Sequence, residues 1–413
     1  LSKNNEQSIK RLGGDSMSGE IKELIGFKNI PLSNTLLTST QDDVELFDLT
    51  IGFDEKTKLV SLINNVSPKK LFPDDYVYDS SQSKTMVKHF KKCAESLQKR
   101  FNPYSVLEIG SNSGIFIRHF NSDNTIAVEP CSNFAKLTND MEYKTYDNFW
   151  GKDLSELIRQ EHGKMDVIFS ANTISHIQGL DECLTSVKKC LNEDGVFVVE
   201  CPSLLELLRE NAFDQFYHEH QSYFSMIAFR NLLERNGLKL FDIELKPVHG
   251  GTYRFFICNE NSSIDVNYKN IDKWEDEEKQ FGVDSYEKLS DRMSIMKENM
   301  IDIKNTLEKI KSENKTVIGY GASAKFIQVS NMCNLNDSLI DYAIDTTPNK
   351  QNKFIPKSNI PIKKYDKNSL ENVDYCFLGA WNFLSEIIKK EDKFLRSGGK
   401  FITHIPKLRI IEL

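Results

Sequence analysis

One run of ten residues reads Ser105-Val106-Leu107-Glu108-Ile109-Gly110-Ser111-Asn112-Ser113-Gly114. Its first half is a short, largely apolar segment, which predicts a buried β-strand. The glycines that follow permit a tight turn, where a ligand can approach the backbone at the start of a helix. Ile115, Phe116 and Phe120 supply the apolar positions of that helix. A strand, a glycine turn and a helix form the first unit of a doubly wound α/β sheet.

Similar units follow this run along the chain. The helix before it is predicted over residues 83–101, from apolar residues at helical spacing. The later strands of the first sheet are predicted at 125–128, 165–170, 195–201, 238–245 and 252–258. The last two of these form an antiparallel hairpin at the edge of the sheet. A second α/β unit is predicted from residue 315, with strands at 316–320, 339–344, 375–378 and 400–405.

Composition limits the class of protein. The 413 residues exceed one ordinary domain, and the hydrophobic fraction of 39% and charged fraction of 27% are typical of globular proteins. A net charge of −7 argues against nucleic-acid binding. The sequence contains no apolar run near the roughly 20 residues of a membrane span. We therefore expect a cytoplasmic enzyme without a signal peptide, nucleic-acid partner or membrane anchor.

The glycine turn favours one nucleoside cofactor over another. In a G-x-G-x-x-G pattern that begins at Gly110, Asn112 occupies the position of the middle glycine. The pyrophosphate-binding pattern is therefore incomplete. Glu129, followed by Pro130, closes the next strand and is placed to accept hydrogen bonds from the ribose hydroxyls of an adenosine. This combination favours S-adenosylmethionine over NAD. Asn148 and Phe149, after the expected third strand, are candidates to contact the adenine.

A dense group of titratable residues lies between residues 213 and 225. It includes Tyr217, Glu219 and His220, and His176 follows the carboxyl end of an earlier strand. Methyl transfer to carbon requires a base beside an acidified C–H bond, and histidine suits that role near neutral pH. An adjacent carboxylate such as Glu219 can orient the base. The alternative is a solvated loop whose aromatic residues cover the edge of a core.

The second α/β unit begins with another glycine turn. Gly321, Ala322 and Ser323 connect a strand to a helix that starts near Lys325. Free backbone N–H groups together with a lysine suit a phosphate or diphosphate. The alternative is a plain turn between a strand and a helix.

Several motifs resemble one family of sugar-modifying enzymes. They read Tyr76-x-Tyr78-x-Ser80-Ser81, Glu108-Ile109-Gly110-Ser111-Asn112-Ser113-Gly114, Ala171-Asn172-Thr173-x-x-His176-Ile177, Phe213-Asp214-Gln215, Glu219-His220, Pro247-Val248-His249-Gly250-Gly251, Gly319-Tyr320-Gly321-Ala322-Ser323-Ala324-Lys325 and Asp345-Thr346-Thr347-Pro348-x-Lys350-Gln351-Asn352. From about residue 21 the chain resembles the C-methyltransferases that act on nucleotide-linked 4-keto deoxysugars. The greatest similarity is to enzymes that methylate C-3 of a TDP-3-amino-4-keto sugar, as in tetronitrose biosynthesis.

The resemblance implies a fold and a division of the chain. The fold is α/β, with a class I, Rossmann-like seven-stranded methyltransferase domain, a C-terminal Rossmann-like α/β domain and a small N-terminal module. The expected segments are a disordered linker or expression remnant (1–20), the module (21–82), the methyltransferase domain (83–260), a helical connector (261–313) and the sugar-nucleotide-binding domain (314–413). The sugar nucleotide would lie in the cleft between the methyltransferase domain and the C-terminal domain. The protein would be a monomer or a weak homo-oligomer.

The resemblance also implies residue roles. His220 would be the base that removes the C-3 proton, and Tyr217, Glu219, His176 and Tyr76 would polarise the 4-keto group or hold the base. The cofactor-binding residues would be Tyr78, Gly110, Asn112, Gly114, Glu129, Pro130, Asn148, Phe149, Ala171 and Asn172. The substrate-binding residues would be Asn172, His249, Gly250, Gly321, Ser323, Lys325, Asp345, Lys350, Trp381 and Asn382.

The N-terminal module departs from the family pattern. The family binds zinc there through cysteines before residue 30 and around residues 52–62, yet the first cysteine of this chain is Cys93. None of the eight cysteines forms a C-x-x-C pair, and we expect buried thiols rather than disulfides. The module has therefore degenerated or is incomplete, and we predict that no metal binds.

The leading hypothesis is S-adenosylmethionine-dependent C-methylation, at C-3, of a nucleotide-linked 4-keto deoxysugar through an enolate. TDP is the expected nucleotide. One alternative is an O- or N-methyltransferase on a nucleotide sugar, which needs no enolate. The other is a catalytically silent homologue that binds a sugar nucleotide.

Overall fold

A computed structural model of the protein describes residues 20–413. The predicted linker at 1–20 lies outside the described residues except for Glu20. Within this range the strands form sheets of four, seven and six strands. In the described part of the chain, no helix is both long and apolar enough to cross a membrane. All eight cysteines are buried free thiols, as the sequence predicts.

The N-terminal sheet is antiparallel. Its strands are β1 (Ile21–Pro31), β2 (Leu46–Asp54) and β3 (Val60–Leu62). β2 and β3 lie at the segments 45–51 and 58–63, whose sequence pattern predicts two strands. β1 is not evident from the sequence, because register shifts after Glu23 and Phe27 interrupt its alternation. Two helices follow, α1 (Pro68–Leu71) and α2 (Lys84–Phe101).

The seven-stranded sheet has the arrangement of class I methyltransferases, which confirms the predicted fold. Its elements in chain order are β4 (Val106–Ile109), β5 (Thr125–Val128), α3 (Ser132–Asp140), β6 (Lys144–Tyr146), α4 (Lys152–His162), β7 (Met165–Ala171), α5 (Leu180–Cys190), β8 (Leu191–Pro202), α6 (Leu204–Arg209), β9 (Ser222–Tyr223), α7 (Met226–Arg235), β10 (Leu238–Lys246) and β11 (Thr252–Asn259). The strand order is β6-β5-β4-β7-β8-β11-β10, and β9 instead pairs with β3. β11 runs antiparallel to both of its neighbours and forms the predicted edge hairpin with β10.

The C-terminal sheet is also Rossmann-like. Two long helices, α8 (Tyr268–Phe281) and α9 (Tyr286–Ser312), precede it. Its elements are β12 (Val317–Tyr320), α10 (Ala324–Met332), β13 (Tyr342–Asp345), β14 (Ile362–Lys364), β15 (Tyr375–Leu378), α11 (Leu384–Lys390), α12 (Asp392–Arg396), β16 (Lys400–Thr403) and β17 (Arg409–Ile411). The order is β14-β13-β12-β15-β16-β17, and only β17 is antiparallel among these strands.

Each Rossmann-like sheet reverses its winding beside a glycine. Gly110 follows β4 with φ +78°, and a Cβ atom there would lie 2.1 Å from Oγ1 of Thr173, which follows β7. Gly321 follows β12 with φ +85°, close to the turn after β15. Since ligands of open α/β sheets bind at such switch points, both positions are candidate sites.

Apolar packing fills the region where the resemblance places a zinc site. The side chains of Ile51, Phe53, Val60 and Leu62 are fully buried. Among residues 20–413, no group of three His, Cys, Asp or Glu side chains could hold a metal ion. The residues of this module therefore do not fit a zinc centre.

Truncating Phe53 to alanine should lower the free energy of unfolding by about 3–5 kcal/mol, because it empties a closed apolar site. Chemical denaturation measures this change. Leu46→Ala, at the 37% exposed start of the same strand, is the matched control and should cost under about 1 kcal/mol. EDTA should leave the unfolding transition of the natural protein unchanged. A transition that EDTA lowers and zinc restores would contradict this account.

Candidate active site

A cavity of about 530 Å³ lies at the carboxyl ends of the central strands. Its wall contains eight of the residues predicted to bind the cofactor: Tyr78, Gly110, Asn112, Glu129, Pro130, Phe149, Ala171 and Asn172. Tyr76 and His176, predicted to act on the substrate, also line it. The cavity therefore places the glycine turn, the acid after β5 and two proposed reaction groups around one space.

Two residues predicted to bind the cofactor lie outside this wall. Gly114 has φ +70°, and a Cβ atom there would lie 2.9 Å from Cγ2 of Thr138, so the glycine serves a close turn against α3. Asn148 is exposed, and its side chain accepts a hydrogen bond from the N–H of Phe149 at 2.8 Å. Trp150, which the sequence analysis did not select, lines the cavity beside Phe149.

Glu129 connects two loops of the cavity. Its carboxylate accepts hydrogen bonds from the backbone N–H of Asn112 at 2.6 Å and of Cys131 at 2.9 Å. Burial raises the pKa of Glu129 above its usual value. Each carboxylate oxygen can accept a further hydrogen bond from a ribose hydroxyl.

Glu108, at the end of β4, is a further carboxyl group in the cavity wall. Its Oε2 is buried without a hydrogen-bond partner among the described residues. Burial and the nearby Glu129 raise the pKa of Glu108 well above its usual value. An unpartnered buried polar atom indicates that the cavity takes a polar ligand, which fits an adenosine-containing cofactor.

Asn112 has a second role that the glycine pattern does not suggest. Its Oδ1 accepts hydrogen bonds from the N–H and Oγ of Ser80, at 3.0 and 2.9 Å, and its Nδ2 donates to the carbonyl of Tyr78 at 2.9 Å. We call residues 76–83 the strap. Through these hydrogen bonds, Asn112 connects the strap to the glycine turn after β4.

His220 is held in one tautomer. Its Nδ1 lies 3.0 Å from the carbonyl oxygen of Gln215, and because a carbonyl can only accept, Nδ1 carries the proton. Nε2 of the neutral ring is then the proton acceptor. Burial, followed by the neighbouring His176, lowers the pKa of His220 well below its usual value, so the ring is neutral at pH 7.

Ring stacking connects His220 to the cavity. The His176 ring stacks on His220 at 5.3 Å and on Phe72 at 5.2 Å, and His176 and Phe72 both line the cavity. The His220 ring also packs against Tyr217, with 4.0 Å between the two ring centres. Burial lowers the pKa of His176 to about 4. A neutral imidazole of the cavity wall, His176, is therefore stacked on a neutral imidazole of the 213–225 loop, His220.

Glu219 has different partners from those the sequence suggests. Its carboxylate accepts hydrogen bonds from the Tyr76 hydroxyl at 2.7 Å and from Nδ2 of Asn34 at 2.6 Å. The His220 ring is oriented instead by the carbonyl of Gln215, and these hydrogen bonds of Glu219 do not reach His220. Burial raises the pKa of Glu219 to about 7.

A second polar cluster lies where the C-terminal domain meets the 213–225 loop. Nζ of Lys325 lies 4.6 Å from the centre of the Trp381 ring, and it is buried without a hydrogen-bond partner among residues 20–413. Burial lowers the pKa of Lys325, and the nearby Asp214 opposes that effect. Nε2 of His249 is also buried, with no partner in the described range. Gly250 follows it, and a Cβ atom there would lie 3.1 Å from the Trp381 ring.

Other predicted substrate residues make hydrogen bonds within the C-terminal domain. Ser323 caps α10 and donates to the carbonyl of Gly379 at 2.9 Å. The carboxylate of Asp345 accepts from the N–H of Ala322 at 2.8 Å, and Nζ of Lys350 donates to the Ala322 carbonyl at 2.9 Å. These bonds shape the turn that contains Gly321. Asn382, next to Trp381, is partly exposed.

Glu129→Ala should weaken S-adenosylmethionine binding about tenfold or more, because it removes an acceptor for the ribose and frees the Asn112 turn. Isothermal titration calorimetry measures this affinity. Glu156→Ala, on the exposed surface of α4, is a matched control that should bind normally. Unchanged affinity in Glu129→Ala would show that the carboxylate does not contact the cofactor.

Comparison with known proteins extends over nearly the whole chain. Residues 80–243 match the family model of a methyltransferase domain, and residues 247–406 match that of a C-methyltransferase C-terminal domain. The chain is 31% identical over 397 residues to the C-methyltransferase NovU of Streptomyces niveus, and the match covers 94% of each chain.

Solved structures are similar over less than half of the chain. An S-adenosylmethionine-dependent methyltransferase from Clostridium acetobutylicum is 14% identical with a TM-score of 0.34, over 42% of this chain and 92% of that one. The 1,6-didemethyltoxoflavin-N1-methyltransferase of Burkholderia thailandensis, solved with S-adenosylhomocysteine, is 17% identical with a TM-score of 0.31, over 41% and 77%. Scores this low support no argument of their own. The match to NovU and to both family models is sufficient, and the chain belongs to the S-adenosylmethionine-dependent C-methyltransferase family.

Proposed function

We propose that the protein methylates C-3 of a nucleotide-linked 4-keto deoxysugar, with TDP as the nucleotide. The observation that supports it most is the stack of His176 on His220, which connects the cofactor cavity to an imidazole whose Nε2 is free to accept a proton. A 4-keto group acidifies the C–H bond at the neighbouring carbon. C-methylation at that carbon needs a base beside the methyl donor, and His220 meets this requirement.

The proposed reaction begins with proton removal. Nε2 of His220 takes the C-3 proton, and the electron pair of the broken C–H bond moves into the enolate. We assign stabilisation of the enolate oxygen at O-4 to His176, because the single proton of the buried Tyr76 hydroxyl is donated to Glu219. S-adenosylmethionine, when bound, would supply the electrophilic methyl group: the C-3 carbanion forms the new carbon–carbon bond as the methyl–sulfur bond breaks, and the electron pair of that bond leaves with S-adenosylhomocysteine. The proton on His220 then passes to solvent.

The low pKa of His220 suits this role. Because burial lowers that pKa, the ring is unprotonated and ready to act as a base throughout the neutral range. The same burial makes the imidazolium unstable, so the proton is not retained after the reaction. Tyr217, packed 4.0 Å from the ring, limits the positions that His220 can adopt.

The diphosphate of the substrate is proposed to bind at Lys325. A buried lysine without a hydrogen-bond partner is costly, and an anionic ligand would satisfy all three of its N–H donors. His249 lies close to Lys325 and has a buried nitrogen without a hydrogen-bond partner among the described residues. In the turn before α10, the N–H groups of Gly321 and Ala322 are already donated to Ile344 and Asp345, so the anion is proposed to bind at the two side chains.

His220→Asn should lower kcat at least about 100-fold, because asparagine can still donate to the Gln215 carbonyl but cannot accept the proton as a base. S-adenosylmethionine affinity should remain within about twofold of the natural protein. His162→Asn, on α4 away from the cavity, is the matched control and should be fully active. Mass spectrometry of the methylated sugar measures turnover.

Proton removal can be tested separately from methyl transfer. In D₂O, with S-adenosylhomocysteine in place of the methyl donor, the natural enzyme should exchange the C-3 hydrogen of a TDP-4-keto sugar, and His220→Asn should not. Near-normal turnover in His220→Asn would overturn the assignment of the base. Methyl transfer without any exchange in the natural enzyme would favour O- or N-methylation instead.

Lys325→Met should raise KM for the TDP-sugar about tenfold or more, since it removes the cation but retains apolar contact with Trp381. The affinity for S-adenosylmethionine should not change. Lys363→Met is the matched control, because Lys363 also lies over an aromatic ring, that of Tyr342, but on the exposed surface. An unchanged KM in Lys325→Met would place the diphosphate elsewhere.

A further inference from the structure

Asn34, a residue of the N-terminal module, makes polar contacts with residues of the candidate active site. It follows β1, and its Nδ2 donates to Oε1 of Glu219 at 2.6 Å and approaches the hydroxyl of Tyr76 at 3.3 Å. The other carboxylate oxygen of Glu219 accepts from Tyr76 at 2.7 Å. One side-chain amide therefore contacts two of the residues to which the resemblance assigns roles in the reaction.

The segment that presents Asn34 is fixed on both sides. The neighbouring Ser33 accepts a hydrogen bond from the buried Gln328 side chain of α10 at 2.7 Å. Leu37, three residues after Asn34, exchanges two backbone hydrogen bonds with Phe354, at 3.0 and 2.8 Å. The C-terminal domain thus holds this segment in place, which makes the amide a pre-organised donor.

The opposite side of the contact is fixed by the same module. β3 pairs with β9, so that Val60 lies opposite Tyr223 and Ser61 opposite Ser222. The N–H of Leu62 also donates to the carbonyl of Gln221 at 2.9 Å. The 213–225 loop, which contains Glu219, is therefore attached through β3 to the sheet whose first strand, β1, precedes Asn34.

We propose that Asn34 is a positioning residue that, together with Tyr76, orients the Glu219 carboxylate and keeps it ionised during methyl transfer. The expected effect of Asn34 on the reaction rate rests on the proposed function. Its expected effect on the pKa of Glu219 does not. The N-terminal module of this chain then completes the active site through a neutral amide and apolar packing.

The groups around Glu219 make its charge depend on neutral donors. Burial raises the pKa of Glu219, the hydrogen bonds from Tyr76 and Asn34 lower it, and the net pKa is about 7. The other titratable neighbours are Tyr217 and Cys131. Burial raises the pKa of the Tyr76 and Tyr217 hydroxyls and of the Cys131 thiol, so all three are uncharged at neutral pH. Loss of the Asn34 donor should therefore raise the pKa of Glu219 further.

Three variants test this role. Asn34→Ala removes the donor and should shift the acid limb of the kcat/KM profile upward by about one pH unit, because an ionised Glu219 is then formed only at higher pH. Asn34→Asp has nearly the same shape but places a second carboxyl group beside Glu219, and it should shift the limb further. Ser33→Ala loosens the same segment but keeps the Asn34 amide, and its shift should be smaller than that of Asn34→Ala.

A second readout is independent of the substrate. The pKa of Glu219 can be followed by ¹³C NMR of labelled carboxyl groups in the substrate-free protein, with Glu219→Gln to assign the signal. It should rise in Asn34→Ala and Asn34→Asp, while S-adenosylmethionine affinity stays unchanged. If no keto sugar is turned over, the proposed function fails but this titration still decides the role of Asn34. An unshifted titration in Asn34→Asp, or an equal shift in Ser33→Ala, would overturn the proposal.

Discussion

The carboxylate of Asp214 is the interaction on which the arrangement of the site depends. Its Oδ2 accepts hydrogen bonds from Nε1 of Trp381 at 2.6 Å and from Nε2 of His404 at 2.9 Å, and both donors belong to the C-terminal domain. Burial acts to raise the pKa of Asp214, but His404, Lys325 and Trp381 together lower it below its usual value. Removing a partner would leave a buried charge uncompensated, so this contact fixes the loop strongly. The next residue, Gln215, supplies the carbonyl that orients His220, so the C-terminal domain helps to set the position of the proposed base.

The electrostatics of the site follow from burial. Low solvent access lowers the pKa of His176, His220 and Lys325 and raises that of Glu219, so each group moves toward its neutral form. Neutral imidazole is the form that can remove a proton. Because burial lowers the pKa of Lys325, a nearby anionic ligand would favour the protonated, positively charged form of this side chain. One physical condition, exclusion of water by three packed regions, therefore accounts for both the proposed base and the proposed anion site.

Local sequence patterns predict the elements whose chemistry is local. The strand and glycine turn at 105–114, the acid Glu129 and the edge hairpin all depend on short-range rules, and the structure contains each of them. Contacts between distant segments were not predictable in this way. Phe72, Trp150 and Asn34 reach the site from loops whose spacing has no period, and β1 is hidden by its bulges. Asn148 and Phe149 are adjacent, yet Phe149 lines the cavity while the side chain of Asn148 is exposed, a difference that adjacency in the sequence does not show.

The N-terminal module shows how a sheet can remain part of an active site without a metal. A structural metal contributes to folding by cross-linking loops that otherwise lack a core. Here β2 and β3 carry fully buried apolar side chains such as Phe53, and β3 extends the sheet to β9 in the 213–225 loop. Backbone hydrogen bonds between Leu37 and Phe354 add an anchor on the C-terminal domain. Because these contacts join the module to both flanking regions, its position is set by the active-site loop that it contacts.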